Sequence, residues 1–115
     1  MQLSRRTERV NMLLRQALSD IMFREIKDPR LTKIISIVRV DVSRDLKSAK
    51  IYASILSNEQ ETRSAIDTLN SASGFFRRAL KDRLSLRSIP SLIFVNDDSI
   101  EYGTYLLNRI TDINS

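Results

Sequence analysis

The chain has 115 residues, a formal net charge of +5, no Cys and no His. That length suits one domain, here residues 1–115, which can bury a core without a disulfide or a structural metal. The missing Cys and His remove thiol nucleophiles, histidine bases and soft metal ligands, and the basic balance suggests a polyanionic partner such as RNA, DNA or an anionic membrane.

In chain order, Met1 to Arg6 carries no apolar signal-peptide core, so the chain is expected to stay in the cytoplasm. Residues 7–27 predict a long amphipathic helix, with Val10, Leu13, Leu14, Ala17, Leu18, Ile21 and Met22 in one stripe. Arg5, Arg6 and Arg9 crowd its start, the unfavourable end of the helix dipole, so local stability does not explain them. Asp28-Pro29 ends the helix. Residues 34–43 and 48–56 alternate and predict two strands joined as an antiparallel hairpin. Val38, Val40 and Val42 share one face of the first, and Ala49, Ile51, Ala53 and Ile55 one face of the second.

Asn58 and Glu61 fit a helix start, and Ala65, Ile66, Leu69 and Ala72 form the apolar side of that helix. Gly74 interrupts. It is expected to permit a bend that docks the next helix, which carries Phe75, Phe76, Ala79 and Leu80 and runs to about Arg87, with Pro90 beyond. Residues 91–96 predict a third strand, and its run Leu92-Ile93-Phe94-Val95 is far too short to span a membrane. Asp98 and Glu101 fit the cap of a last helix bearing Leu106, Leu107, Ile110 and Ile113. Capping is preferred over a magnesium site built from Asp97, Asp98 and Glu101, and no metal or cofactor is expected.

The order is α-β-β-α-α-β plus a C-terminal helix: an α+β chain that matches the type II K-homology RNA-binding arrangement. A third strand lying beside the first would run parallel to it, giving a mixed three-stranded sheet with helices on one face. Small α+β domains with other functions share this order.

Charge is unevenly spread. Residues 1–57 carry an excess of +6 and residues 74–90 of +4, so a fold must either join two basic blocks or use them separately. On the helix after Gly74, Arg77, Arg78 and Lys81 fall on one side, with Ser85 among them, and Phe76, Ala79 and Leu80 opposite. Same-sign neighbours on a helix repel, and a polyanion relieves that repulsion. Arg83 and Arg87 fall off this stripe, toward the apolar side. The junction Ala72-Ser73-Gly74 stands where K-homology domains carry a Gly-x-x-Gly loop that approaches phosphates, with Asn70 in place of a first glycine.

Several spaced motifs resemble the ribosome-binding factor A family. Arg24-Glu25-Ile26-Lys27-Asp28-Pro29-Arg30-Leu31 is similar to the close of its first helix. Val42-Ser43-Arg44-Asp45-Leu46 and Ala49-Lys50-Ile51-Tyr52 resemble its hairpin. Leu69 to Phe75 with Arg77 resembles its kinked helix pair, in which Ala-x-Gly replaces Gly-x-x-Gly. Leu84, Leu86, Arg87, Pro90, Leu92, Phe94, Asp97 and Ser99 continue the likeness, over about residues 6–107. The resemblance implies a non-enzymatic assembly factor that binds the small (30S) ribosomal subunit. It also implies a role in late processing and folding of 16S rRNA, including the 5′ region, and in growth in the cold. The charged C-terminal tail of some members has no counterpart here. Arg77, Arg78, Lys81, Arg6, Arg9, Lys27, Arg30 and Arg44 are the expected RNA contacts, and a monomer is expected. The rival readings are a general single-stranded RNA module and a protein-interaction domain with an acidic partner.

Overall fold

A computed structural model describes residues 5–25 and 35–97. Helix α1 (Arg5–Glu25) is followed by strands β1 (Ile35–Val42) and β2 (Ser48–Ile55), helices α2 (Glu59–Ser71) and α3 (Ser73–Arg83), and strand β3 (Ser91–Asn96). The predicted C-terminal helix, with Asp98 and Glu101, lies outside the described residues, as do Lys27 and Arg30.

The expected mixed sheet is present, but its order differs from the one considered above. β2 is central, antiparallel to β1 and parallel to β3, so β3 lies beside β2 and not beside β1. Two features explain this order. β2 is the most fully buried strand, with Ala49, Ile51, Ala53, Ser54 and Ile55 all buried, which suits a position with a neighbour on each side. The outer edge of β1 is meanwhile engaged by α1, where the Asn11 side-chain oxygen accepts from the Val42 N–H at 2.8 Å. The outer edge of β3 is covered in the same manner. The Asn70 amide donates to the Phe94 carbonyl (3.0 Å) and accepts from the Phe94 N–H (2.8 Å). An asparagine therefore satisfies backbone groups at each sheet edge, which would otherwise be open to pairing with another chain. Asn70, noted in the sequence only as a missing glycine, ties α2 to the sheet.

β1 departs from simple alternation. Its register with β2 shifts between Ile37 and Arg39, so Ile35, Ile37, Val40 and Val42 face inward and Val38 is left half-buried in a bulge. The expected face of Val38, Val40 and Val42 thus loses Val38, because one extra residue reverses the side-chain phase. The hairpin turn is held by Ser43 and Asp45. The Ser43 N–H donates to the Ser48 carbonyl (2.8 Å), and Asp45 accepts from the Ser43 hydroxyl (2.7 Å) and the Lys47 N–H (3.0 Å). These bonds hold the Asp45 carboxyl below its ordinary pKa, the Ser43 bond most strongly. Leu46 adopts a left-handed φ of 61°, a cost offset by its packing against the core.

The helices lie over one sheet face. Val10, Leu14, Leu18, Ile21 and Met22 of α1, Ala65 and Leu69 of α2, and Phe76, Ala79 and Leu80 of α3 join the inward strand residues in one core. Phe76 is fully buried, with its ring 5.2 Å from that of Phe94. α2 starts as its sequence predicts, with the Asn58 side chain accepting from the Glu61 N–H at 2.8 Å.

Candidate nucleic-acid interface

The turn between α2 and α3 falls at Ala72 (φ −92°, ψ 10°), not at Gly74. Gly74 is the second residue of α3 and has no positive φ. A Cβ placed on it would meet only Arg78 Nη1, at 3.5 Å, an ordinary contact. The expectation that glycine permits the bend is therefore not met. Ala72 closes α2 through its N–H to the Thr68 and Leu69 carbonyls and opens α3 by accepting from the Phe76 N–H, a geometry any residue can adopt.

α3 also ends earlier than expected, at Arg83 rather than Arg87. Leu84 is extended (φ −114°, ψ 137°), and Leu84, Leu86 and Ile89 pack against the core. Leu84 and Leu86 have the i, i+2 spacing of an extended chain, and Pro90 follows closely. Arg83 turns to α1 and pairs with Asp20, which also holds Arg24 at 2.7 Å. That bridge fixes the end of α3 against α1.

The early stop moves Arg87. Segment 84–90 folds back beside α3, and Arg77 donates to the Ile89 carbonyl at 3.1 Å. Gly74, Arg77, Arg78, Lys81, Leu86, Arg87, Ser88 and Ile89 then line a cleft of about 420 Å³. The stripe of Arg77, Arg78 and Lys81 stands as the sequence placed it, opposite buried Phe76, Ala79 and Leu80. Arg87 is the residue that sequence reasoning missed. The available signal was the i, i+2 spacing of Leu84 and Leu86 ahead of Pro90. Gly74 lines this cleft at the start of α3, which has no side-chain cap.

Arg6 and Arg9, with Val10, Leu13, Arg83, Leu84, Ser85 and Leu86, line a second cleft of about 420 Å³. Leu86 belongs to both clefts, so the two basic blocks of the sequence meet across segment 84–89. Ser85 lies on the Arg6 side rather than within the α3 stripe. Arg44 is exposed in the hairpin turn and lines neither cleft. Among the described residues no helix is long and apolar enough to cross a membrane.

A family model described as Ribosome-binding factor A matches residues 6–110. The chain belongs to the ribosome-binding factor A family. Ribosome-binding factor A of Acetivibrio thermocellus is 42% identical over 107 residues, covering 93% of this chain and 87% of that protein. A solution structure of a Thermotoga maritima protein assigned to ribosome binding factor A is 30% identical with a TM-score of 0.72, over 88% of this chain and 95% of that one. A homology model of Thermus thermophilus ribosome binding factor A, fitted into a cryo-EM map of a 30S complex, shares the fold at 23% identity and a TM-score of 0.63. It covers 76% of this chain and 91% of that one. The family's K-homology-like α+β architecture is the one described above.

Proposed function

We propose that this chain is a cytoplasmic, monomeric, single-domain assembly factor that binds the 30S subunit through phosphates of 16S rRNA. It assists late maturation, including processing of the 5′ region, and supports growth in the cold. It acts by binding, without catalysis or a cofactor. Family membership supports the partner, and the Thermus relative is described on a 30S subunit. The single observation that carries the RNA reading is the pair of basic clefts that meet at Leu86 in segment 84–89. Three separate elements bring Arg6, Arg9, Arg77, Arg78, Lys81 and Arg87 there. A fold gains nothing locally by collecting like charges, and phosphates would neutralise them. Arginine adds planar, forked donors suited to phosphate oxygens. Lys27, Arg30 and Arg44 are proposed as outlying contacts.

The test is the triple change Arg77→Glu, Arg78→Glu and Lys81→Glu in cells without the native copy, grown at low temperature. All three side chains are exposed and the only bond lost among the described residues is that of Arg77 to the Ile89 carbonyl, a cost of about 1–3 kcal/mol, so the protein should stay folded, which a melt checks. Immature small subunits with unprocessed 16S precursor should accumulate. Normal subunit binding and normal processing with a folded mutant would rule this surface out. Comparing immature subunits, mature subunits and short single strands separates an assembly factor from a general RNA module.

A further inference from the structure

A third cleft, of about 640 Å³, lies between α1 and the bulged edge of β1. Asn11, Met12, Arg15, Gln16, Ser19, Val38, Arg39 and Val40 line it, and it shares no residue with the two clefts above. We propose that it is a second RNA site, which takes one unpaired nucleotide with its base against Arg39 and its phosphate at Arg15. The choice of ligand rests on the RNA reading above, whereas the site itself rests on separate observations.

The guanidinium of Arg39 lies 4.1 Å from the centre of the Tyr52 ring. The ring covers the side of the guanidinium that faces it, and Arg39 is otherwise exposed, which leaves its outer side open to a stacked base. The bulge puts it there, because the register shift before Arg39 turns this side chain outward beside the half-buried Val38. Neither Arg15 nor Arg39 has a carboxylate partner among the described residues, so both charges are available to phosphate. Met12 is 58% exposed on α1, an apolar side chain the core does not use, and it offers a wall for a base. Gln16 supplies a donor and an acceptor for a base edge. The Asn11 oxygen is already committed to the Val42 N–H, which leaves its NH₂ group to donate. An acidic peptide would use the charges but not the stacked plane or the apolar wall. The volume suits a small ligand.

The test uses the full chain with fluorescent hexauridylate carrying one 4-thiouridine, read by anisotropy and by mapping of photo-crosslinked peptides. Crosslinks are expected at the α3 cleft and, separately, at Met12, Gln16 or Val38 of this cleft. Arg39→Lys keeps the charge and removes the plane, so it should lower crosslinking at the α1–β1 cleft about tenfold and leave the α3 crosslinks unchanged. Met12→Ser, on the exposed side of α1, should act in the same direction with an unchanged melt. Full crosslinking in a folded Arg39→Lys protein overturns the proposal, as do crosslinks confined to α3. Displacement from this cleft by hexaglutamate as readily as by unlabelled RNA overturns it in favour of an acidic protein partner. Crosslinks at this cleft with none at α3 would sink the α3 reading and leave this one standing.

Discussion

Gly74→Ala separates a conformational role for this glycine from a role in access. Gly74 has no positive φ, lies in the first turn of α3, and leaves room for a Cβ 3.5 Å from the mobile end of Arg78. Alanine in a helix interior is favoured over glycine by about 1 kcal/mol, because the unfolded chain loses freedom it would otherwise keep. In a first turn about half of that is expected. The melt should therefore rise by about 2–4 °C for a domain of this size. Gly74→Val, with its stiffer side chain, should melt close to the native protein. Binding should move the opposite way. The added methyl projects into the cleft lined by Arg77, Arg78 and Arg87 and would hold a phosphate backbone away from α3. Loss of one charged hydrogen bond there is about tenfold in affinity. Circular-dichroism melts and titration against immature small subunits measure the two effects. A melt lowered by several degrees would refute the assignment of the turn to Ala72. Unchanged affinity would refute close approach at Gly74.

Asn70→Ala removes both hydrogen bonds to Phe94 and should cost about 2 kcal/mol in urea unfolding; Asn70→Asp should cost at least as much, since a carboxylate would face the Phe94 carbonyl. Phe76→Ala empties a fully buried site beside Phe94 and should cost about 3–5 kcal/mol, enough to leave little folded protein at 37 °C. RNA binding should weaken with salt, with a log–log slope of roughly −4 if about six cations meet phosphates, and a flat titration would exclude the basic surface. Asp45 should titrate by NMR below its ordinary 3.8, so what its hydrogen bonds add to stability is present above that pH and is lost as the pH falls through the lower folded value; Asp45→Asn should remove this acid-side dependence.

Much of the molecule was legible in the sequence because the signals are local. The α1 stripe from Val10 to Met22, the buried face of β2 and the Asn58 cap each depend on spacing within one element. So does the opposition of Arg77, Arg78 and Lys81 to Phe76, Ala79 and Leu80. The errors arose where a distant contact outweighed a local rule. Alternation in β1 gave way at Val38, because a register shift allows Ile35 and Ile37 to join the core with Val40 and Val42. The last turn of α3 gave way at Leu84, where the chain becomes extended and Leu84, Leu86 and Ile89 pack against the core.

Composition and periodicity by themselves determined an α+β chain with a basic surface and no thiol or imidazole chemistry. The quoted motifs added the family. Only the tertiary structure decided that β3 lies beside β2, that Asn11 and Asn70 hold the sheet edges, and that Arg87 stands with Arg77. It alone brought Arg6 and Arg9 to the same segment. The reason is range. Side-chain periodicity records which way a residue faces on its own element. Which charges become neighbours depends instead on where separate elements stop and what they pack against, and at this surface α3 stops at Arg83 and Leu84, Leu86 and Ile89 pack against the core.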